Sequence, residues 1–495
     1  MRAALTRRAA QSSPASPRCV QCLQRRRHST YNHFITQNER SPEPGAIRLA
    51  VKDNIATFNL PTSCASSILA EHPSPYEATI VQQLREHVNA HVVGKTNMDE
   101  FGMGSHSLNS AHGPVRNPAG QDLSTGGSSG GSAVAVQVDD ADIALGTDTG
   151  GSVRLPAAWI GCVGYKPSYG MLSRYGVVPY ANSLDTVGLL ARATTPIRAS
   201  IFDSSIYQLT DPKDPTCLSL KTRQRCIKVT PVTLPDLSDV TIGLPLEYNI
   251  AELDPSIRSA WSQTAELLAA NGATVVPVSL PTTPEALCAY YVLAPAEASS
   301  NLAKYDGVRY GVRSTTSDAA GDTLYSETRG VGFGDEVKRR ILLGTYTLSS
   351  DAIDNYFLQA QRVRRLVQRD FDRVFRLASP LHEPVQFDLS DMPDTTDLQD
   401  KTGPAQVDFL LCPTAPTCPP RVEDVKTRGS VASYVNDVFT VPASLAGLPA
   451  VSVPVRSQDQ GTAKHGVPAS MQIIGQYWDD RRMLALAELM ERLGV

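Results

Sequence analysis

Two glycine- and serine-rich runs are the strongest signs of chemistry in this chain. The first is Gly-Gly-Ser-Ser-Gly-Gly-Ser over residues 126–132, and the second is Gly-Thr-Asp-Thr-Gly-Gly-Ser-Val-Arg over residues 146–154. Glycines let backbone N–H groups approach a developing oxyanion while a serine hydroxyl attacks a carbonyl carbon. A flexible linker or a phosphate-binding loop is also rich in glycine. However, structured-looking residues flank both runs closely, and neither has the GxxxxGKS or GxxxxGKT pattern of a phosphate loop. The runs therefore favour acyl transfer by a serine.

A serine nucleophile needs a general base, and the residues alone leave three candidates. His106 and His112 are the nearest histidines, but Ser152 is not in the GxSxG motif of hydrolases that pair serine with histidine. Lys52 follows residues 47–51, a mostly apolar stretch typical of a strand. Burial penalises the charged ammonium and lowers the pKa of lysine, so a neutral amine can accept a proton near neutral pH.

The elements that must position these residues alternate between strand and helix, which predicts a layered α/β domain. Strands are predicted at 47–51, 91–94, 143–145, 240–244, 274–278, 409–412 and 450–455. Helices are predicted at 77–89, 132–138, 255–270, through most of 335–372, and at 480–493 with Asp479 as its cap. Segments 210–239 and 379–406 are predicted to cross the surface, the latter as an acidic insertion.

Composition excludes several classes of protein. Of the 495 residues, 41% are hydrophobic and 19% charged, which is globular and not disordered. No stretch approaches the ~20 uninterrupted apolar residues of a membrane span, so none is predicted. The nine cysteines are scattered, and the CxxC pair Cys19–Cys22 has no second pair at zinc-site spacing. We predict neither a metal site nor a disulfide framework.

The charge is unevenly distributed. Residues 1–30 contain seven arginines but no lysine and no acid, which is the composition of a mitochondrial transit peptide ending near residues 27–31. A disordered basic tail is the alternative. The rest of the chain has 46 − 7 = 39 basic and 50 acidic residues, a net charge of −11. The predicted domains are therefore a leader over 1–30 and a single enzyme domain over 31–495.

Three blocks together resemble the signature of the amidase signature family. They are Ala-Val-Lys-Asp-Asn at 50–54 and the two runs at 126–132 and 146–154, in the family's order. The resemblance implies a layered α/β/α fold around a large, mainly mixed twisted sheet. It also implies a triad in which Lys52 is the base, Ser128 the bridging serine after a cis peptide bond, and Ser152 the nucleophile. Ser129 competes with Ser128 for the bridging role.

The same resemblance assigns the residues around the nucleophile. The backbone N–H groups of Thr149, Gly150, Gly151 and Ser152 are expected to form the oxyanion hole. Asp148 and Arg154 are interpreted as buried structural partners and not as catalytic groups.

Further blocks narrow the resemblance to one branch of the family. Residues 94–101, 338–346, 436–437 and 444–449 are similar to the glutaminase subunits of tRNA-dependent amidotransferases. This similarity implies that Arg340 binds the α-carboxylate and Asp437 the α-amine of free glutamine, with Tyr290 nearby and its neighbour Tyr291 as the competing choice. A bidentate arginine on a carboxylate is suitable chemistry for this recognition.

The narrower resemblance implies a function and a set of partners. The chain would hydrolyse glutamine in the mitochondrial matrix and supply ammonia for converting Glu-tRNA(Gln) to Gln-tRNA(Gln). ATP with Mg²⁺ and most of the tRNA contacts are expected on a partner, the B subunit of such enzymes, because tRNA-binding surfaces are normally basic and this chain is acidic. A small accessory subunit is also expected, and no cofactor on this chain. The alternatives are a stand-alone amidase of small amides, which needs no Arg340 and Asp437, and an inactive scaffold, which needs no triad.

Overall fold

The computed structural model describes residues 30–70, 72–315, 323–381, 406–455 and 466–494. The predicted transit peptide lies outside the described residues except for Thr30, and so does most of the insertion predicted at 379–406. Both of these assignments stay predictions, as does the division into domains.

Eleven strands of the described residues form one sheet. They are β1 (Phe34–Gln37), β2 (Ile47–Lys52), β3 (Ala90–Thr96), β4 (Ile143–Asp148), β5 (Val163–Lys166), β6 (Thr186–Ala191), β7 (Thr241–Pro245), β8 (Thr274–Val278), β9 (Phe409–Pro413), β10 (Ala450–Val455) and β11 (Ala469–Gly475). Their order across the sheet is β1-β3-β2-β4-β6-β5-β10-β11-β9-β7-β8.

The sheet mixes the two kinds of strand pairing. Strands β3, β2 and β4 run parallel at one side, and β9, β7 and β8 run parallel at the other. The strands between these groups pair antiparallel, as does the edge strand β1 with β3. The prediction of a large mixed sheet is confirmed.

The helices cover the sheet and connect its strands. They are α1 (Thr79–Val88), α2 (Gly130–Gln137), α3 (Arg154–Ile160), α4 (Thr194–Arg198), α5 (Leu220–Val229), α6 (Pro255–Ala270), α7 (Thr283–Asn301), α8 (Ser326–Gly332), α9 (Asp335–Thr347), α10 (Phe357–Val374), α11 (Val422–Tyr434), α12 (Val441–Ala446) and α13 (Asp480–Leu493).

Two faces of the sheet bury different apolar clusters, because successive side chains of a strand point to opposite sides. In β2, Leu49 and Val51 belong to the larger cluster, which also contains the buried residues of α1. Ala50 belongs to a smaller cluster with the alanines and valines of α2, with Val153 and with Ala157 of α3. The sheet therefore lies between two layers that contain helices, as predicted.

Most predicted elements are present with small shifts of their ends. Helix α6 has the predicted bounds, whereas the long helical stretch predicted at 335–372 is two helices, α9 and α10, separated by turns. The surface segment 210–239 contains α5, which was not predicted. The predicted position of the cap of α13 is right, but the predicted capping by its side chain is wrong. Asp479 is the N-cap residue, but its carboxylate accepts from Arg482 Nε at 2.8 Å and Nη2 at 2.6 Å and makes no cap hydrogen bond.

Candidate active site

Lys52 is the last residue of β2 and is fully buried. Its Nζ donates to Ser128 Oγ at 2.7 Å, Ser129 Oγ at 2.8 Å and Thr147 Oγ1 at 3.0 Å. Because an ammonium has three protons and no acceptor, these contacts hold the amine in one place. A neutral amine in the same place would direct its lone pair at one of the hydroxyls.

The pKa of Lys52 is lowered from 10.5 to about 7. Burial is the main cause, because it penalises the charged ammonium. The nearby carboxylates of Asp99, Asp148 and Asp185 act in the opposite direction and raise the pKa. The balance leaves a substantial fraction of neutral amine near neutral pH, which is what a general base requires.

Both serines of the first run lie within hydrogen-bonding distance of the lysine. The Gly127–Ser128 peptide bond is cis, as the family resemblance implied. Ser129 is the N-cap residue of α2, and its backbone N–H donates to the carbonyl oxygen of Ser152 at 3.1 Å. That bond ties the two glycine-rich runs together. The contacts to Lys52 do not separate Ser128 from Ser129, so the bridging role of Ser128 stays a prediction.

Ser152 differs from the other two serines in its exposure. Ser128 and Ser129 are buried, whereas Ser152 is partly exposed. Within the described part of the chain, its hydroxyl makes no hydrogen bond. A hydroxyl that is accessible and unbonded, beside two serines bound to a buried lysine, can attack an incoming carbonyl carbon.

The loop before Ser152 presents backbone N–H groups. Those of Gly150, Gly151 and Ser152 donate to no other described residue. Thr440 Oγ1 donates to the carbonyl oxygen of Gly150 at 2.6 Å, which fixes the orientation of that peptide. Thr149 Oγ1 donates to Asp185 Oδ1 at 2.7 Å. Free, oriented N–H groups beside a nucleophile are the structural requirement of an oxyanion hole.

Glycine is required at position 151 of this loop. Its φ is +146°, in the region that favours glycine, and a Cβ atom there would overlap Thr440 Oγ1. The loop therefore passes so close to Thr440 that a larger residue would displace it.

Asp148 and Arg154 are buried partners, as interpreted from the sequence. Both side chains have 0% exposure, and two hydrogen bonds of 2.8 and 2.9 Å join the guanidinium to the carboxylate. Arg154 also donates to Gln472 Oε1 at 2.7 Å and to the carbonyl oxygen of Thr440 at 2.8 Å. The pair supports the loop between them, which carries Ser152, from both ends.

The two histidines have other contacts. His106 Nδ1 is 2.9 Å from Ser124 Oγ, and the ring stacks on Trp159 with a centroid distance of 5.5 Å. Burial lowers the pKa of His106 to about 4. His112 accepts a hydrogen bond from Asn32 Nδ2 through its backbone carbonyl at 3.0 Å. Of the three candidate bases, Lys52 is the one that contacts the hydroxyls of Ser128 and Ser129.

Arg340 lies on α9 and is buried within a group of aromatic side chains. Its Nε donates to Glu336 Oε1 and its Nη1 to the hydroxyl of Tyr180, both at 2.8 Å. The guanidinium lies over the rings of Tyr180, Tyr291 and Tyr434 at 5.6–5.8 Å. Nη2 has no hydrogen-bond partner among the described residues, so this nitrogen is available to an anionic group.

Asp437 lies near this arginine and is also buried. Its Oδ2 accepts from Tyr291 Oη at 2.7 Å and from Ser105 Oγ at 3.0 Å. Its Oδ1 accepts from none of the described residues. Burial raises the pKa of Asp437 to about 6, although the hydrogen bonds of Tyr291 and Ser105 and the charge of Arg340 oppose that shift. The carboxylate is therefore ionised at neutral pH with one oxygen free.

Tyr290 and Tyr291 both line the site, with different contacts. The ring of Tyr290 lies against Gly150, and its hydroxyl has no partner within the described residues. Tyr291 binds Asp437, stacks on Tyr434 at a centroid distance of 3.8 Å and meets Tyr290 edge to face at 5.0 Å. The structure thus places Tyr290 beside the loop and Tyr291 on Asp437, and the choice of Tyr290 as the residue near glutamine stays a prediction.

Ser105 and Ser107 link the two halves of the site, and neither was singled out from the sequence, although His106 between them was considered as a base. Ser105 binds Asp437, whereas Ser107 Oγ donates to the carbonyl oxygen of Gly126 at 2.8 Å and accepts from the N–H of Gly130 at 3.0 Å. The N–H of Ser107 donates to Asp99, a fully buried carboxylate whose pKa burial raises to about 6. One short segment thus contacts both Asp437 and the loop 126–130.

Neither a metal centre nor a membrane-spanning helix is found in the described ranges. No group of three or more His, Cys, Asp and Glu side chains there is arranged to hold a metal ion. No helix in them is both long and apolar enough to cross a bilayer.

Comparison with known proteins gives consistent matches. The family model described as Amidase matches residues 25–484. The A subunit of the mitochondrial glutamyl-tRNA(Gln) amidotransferase of Fusarium vanettenii is 68% identical over 446 residues, covering 90% of this chain and 86% of that protein. The protein of the same name from Podospora anserina is 56% identical, covering 93% and 94% respectively.

A solved structure agrees with these matches. The crystal structure of the A subunit of glutamyl-tRNA(Gln) amidotransferase from Thermotoga maritima is similar to this chain with a TM-score of 0.71 and 34% identity. The similarity covers 93% of this chain and 87% of the bacterial one.

Proposed function

The chain belongs to the amidase signature family, and we propose that it is the glutaminase subunit of a mitochondrial Glu-tRNA(Gln) amidotransferase. The observation that carries the proposal is the contact of 2.7 Å between Lys52 Nζ and Ser128 Oγ, in a buried setting that lowers the pKa of the lysine to about 7. It provides a neutral base beside the hydroxyls of Ser128 and Ser129, and the backbone N–H of Ser129 is bonded to the carbonyl oxygen of Ser152.

In the proposed acylation step, Lys52 accepts a proton from Ser128 while Ser128 accepts the proton of Ser152. The Oγ of Ser152 then attacks the carbonyl carbon of the glutamine side-chain amide. Negative charge develops on the carbonyl oxygen, where the N–H groups of residues 149–152 stabilise it. When the C–N bond breaks, the proton returns from Lys52 through Ser128 to the leaving nitrogen, so ammonia leaves and a glutamyl ester remains on Ser152.

Deacylation uses the same groups in the same order. A water molecule gives its proton through Ser128 to Lys52 and attacks the ester carbon, and the oxyanion forms again at the loop. The C–O bond to Ser152 then breaks, glutamate leaves, and the hydroxyl of Ser152 recovers its proton. No metal is needed at any step of this proposal.

Recognition of free glutamine is assigned to Arg340 and Asp437. Nη2 of Arg340 supplies the charged donor for the α-carboxylate, while Glu336 and Tyr180 hold the other two nitrogens in place. Oδ1 of Asp437 supplies the acceptor for the α-ammonium, and Tyr290 forms the wall between this clamp and the oxyanion loop. A charged clamp of this kind suits an amino acid and gives no advantage with a simple amide.

The remaining parts of the reaction are assigned to other subunits. The relatives are named as the A subunit of their enzyme, which implies a heteromeric complex. We assign ATP with Mg²⁺, and most of the contacts to Glu-tRNA(Gln), to the B subunit, and we expect a small accessory subunit. The net charge of −11 after residue 30 supports leaving the tRNA mainly to the partner. The relatives are also named mitochondrial, and we propose the matrix as the site of action.

The two alternative functions receive less support. A stand-alone amidase of small amides would not need a free nitrogen on Arg340 and a free oxygen on Asp437. An inactive scaffold would not need Lys52 to stay buried against the serines, since an unused buried lysine only destabilises a fold.

The test is a reconstitution of the chain with both of these partners, the B subunit included. Formation of Gln-tRNA(Gln) is measured with ATP and either glutamine or ammonium chloride as nitrogen donor, and glutamate release is followed in parallel. We expect activity with both donors, and glutamate release only with glutamine. A complex that used ammonium but never glutamine would contradict the proposal, as would efficient cleavage of simple amides with no turnover of glutamine.

A further inference from the structure

Asp99 lies in the block 94–101, none of whose residues has a role in the proposed function. Its side chain is fully buried. Among the described residues, its carboxylate accepts hydrogen bonds only from the backbone N–H groups of Ser107, at 2.8 Å, and Asn109, at 3.0 Å, and forms no ion pair. A buried carboxylate without a cationic partner is costly to a fold. Its presence beside the candidate site therefore calls for a function.

The carboxylate of Asp99 lies against the backbone that carries the proposed bridging serine. A Cβ atom at Gly127 would overlap Oδ2 of Asp99, and a Cβ atom at Gly104 would overlap the carboxylate from another side. The backbone N–H of Asp99 donates to the carbonyl oxygen of Ser128 at 3.3 Å. The negative charge is therefore held in one position, next to the serine whose hydroxyl contacts Lys52.

Two cations on different elements act on this carboxylate. Burial raises the pKa of Asp99 to about 6, although its two backbone hydrogen bonds and the charges of Lys52 and Arg340 oppose the shift. The neighbouring Glu100 binds the N–H of Gly334 at 2.8 Å, and His106 is neutral near pH 7 because burial lowers its pKa to about 4. Asp99 is therefore mostly ionised at neutral pH.

Asp99 is also the acidic group with the largest effect on the base. Four groups raise the pKa of Lys52, and they are, in decreasing order of effect, Asp99, Asp148, Asp185 and Cys64. Asp148 is already paired with Arg154 at 2.8 Å, and Asp185 accepts from the hydroxyl of Thr149 at 2.7 Å. Burial raises the pKa of the Cys64 thiol, which is neutral.

We propose that Asp99 is a positioning residue of the reaction, whose fixed negative charge stabilises the positive charge that Lys52 gains on taking the proton of the serines. The inference rests on the proposed function, in which Lys52 is the base. Lys52 is neutral before acylation and an ammonium while the tetrahedral intermediate exists, so Asp99 acts more strongly on the intermediate than on the bound substrate. Asp99 itself takes no proton, since the proton passes from Ser152 through Ser128 to Lys52 and then to the leaving nitrogen.

The test removes the charge of Asp99 and follows the base by its pH dependence. Asp99→Asn and Asp99→Leu are both neutral and close in shape to aspartate. Ser107→Ala is the matched control, because it removes the hydrogen bonds of Oγ to the serine loop and changes no charge. Each variant is prepared in the reconstituted complex, and its folding is checked by circular dichroism and urea denaturation.

The main readout is the reaction of Ser152 with a fluorophosphonate, in which Oγ forms a bond to phosphorus as fluoride leaves and the base takes the proton. This probe has no α-carboxylate and no α-amine, so neither Arg340 nor Asp437 is needed to bind it. Its rate is measured from about pH 5 to about pH 9, around the pKa of Lys52. Glutamine hydrolysis is measured in parallel.

We expect both Asp99 variants to move the midpoint of the acid limb down by about one pH unit, because the ammonium of Lys52 loses an attraction. The rate above the midpoint is expected to fall at least about threefold, since the amine becomes a weaker base. Ser107→Ala is expected to be slower at every pH with the midpoint of the wild type.

An unchanged midpoint in both Asp99 variants overturns the inference. Failure of both variants to fold overturns it as well, because Asp99 would then serve stability alone. If the wild-type complex reacted with the probe at Ser152 but never hydrolysed glutamine, the proposed function would fail while the assignment of Asp99 could still be decided from the midpoints.

Discussion

The ring of Tyr290 lies against Gly150, so close that a Cβ atom at Gly150 would be 2.5 Å from Cζ and 2.7 Å from the hydroxyl oxygen of the tyrosine. The wall of the amino-acid pocket and the loop that would bind the oxyanion are therefore in direct contact. Any side chain at position 150 must move either the tyrosine or the loop, and this contact provides a steric test of the site.

We expect Gly150→Ala to lower kcat for glutamine by about 10²–10³-fold, the usual effect of removing one oxyanion donor. The Gly150→Ala/Tyr290→Ala double variant removes the obstructing ring and is expected to recover part of kcat while KM rises. Steady-state kinetics with glutamine measure both values. Single and double variants with identical kcat would show that the contact does not position the loop.

Ser152→Ala is expected to abolish glutamine-dependent amidation, by on the order of 10⁴-fold or more, because no other hydroxyl is assigned to the acyl-enzyme. Amidation with ammonium chloride is expected to stay close to the wild-type rate, since that reaction bypasses the serine. Both donors are compared in the reconstituted complex. Glutamine-dependent turnover in the Ser152→Ala complex would place the nucleophile elsewhere.

The pH dependence follows from Lys52 and Asp437. Only the neutral amine of Lys52 accepts a proton, so kcat/KM is expected to fall about tenfold per pH unit below pH 7 and to level off above it. With glutamine, the fall steepens below about pH 6 as Asp437 becomes protonated and no longer binds the α-ammonium.

The Asp437→Asn variant provides the control for this profile, because it removes the second titration and leaves the first. Lys52→Arg is expected to be inactive at every pH, since a guanidinium stays protonated. An active Lys52→Arg enzyme would contradict a neutral lysine base.

Arg340→Ala is expected to weaken glutamine turnover by about 1.5–3 kcal/mol, the value of a lost charged hydrogen bond, mainly through KM. Cleavage of a simple amide without an α-carboxylate is expected to change little. Lys338→Ala is the matched control, because Lys338 lies on the same helix, is 40% exposed and pairs with the exposed Asp335. Equal KM values for glutamine in the two variants would remove Arg340 from the clamp.

Arg154→Leu is expected to cost about 3–5 kcal/mol of unfolding free energy, because it leaves the carboxylate of Asp148 buried and unpaired. Arg48→Leu breaks partly exposed ion pairs and is expected to cost no more than about 1 kcal/mol. Urea denaturation measures both. Similar losses in the two variants would argue against a supporting role of the buried pair.

The contribution of the Asp148–Arg154 pair to the free energy of unfolding also depends on pH. Burial acts to raise the pKa of Asp148, but the charge and hydrogen bonds of Arg154 bring the pKa below its ordinary value. The stabilisation is therefore complete above the pKa of an unfolded aspartate, about 4, and is lost as the pH falls through the lower folded value.

The sequence predicted the elements whose patterns are local. The apolar run before Lys52 became β2, and the helix predicted at 255–270 has those bounds, because apolar spacing and capping residues are properties of neighbouring positions. Helix α7 was missed because apolar residues surround it without a clear stripe and Pro295 interrupts it. The side chain of Asp479 does not cap α13, because its carboxylate accepts hydrogen bonds from Arg482, one turn later.

The residues of the candidate site also separate into those with a local sequence signal and those without one. Lys52, Ser128 and Ser152 could be proposed from the sequence because each lies in a compact block and the order of the blocks is itself informative. Tyr180 and Ser105 could not, because the first binds Arg340 across 160 positions of the sequence and the second binds Asp437 across 332. No local pattern connects residues that far apart, since folding alone brings them together.

The segment 105–107 also has a consequence for substrate length. Through Ser105 it holds the carboxylate assigned to the α-amine, and through Ser107 it holds both ends of the loop that carries the bridging serine. If Asp437 binds the α-ammonium as proposed, this short buried segment helps to set the spacing between that end of the substrate and the serine loop. We therefore expect the site to hydrolyse glutamine in preference to asparagine, whose amide is one methylene closer to its α-carbon.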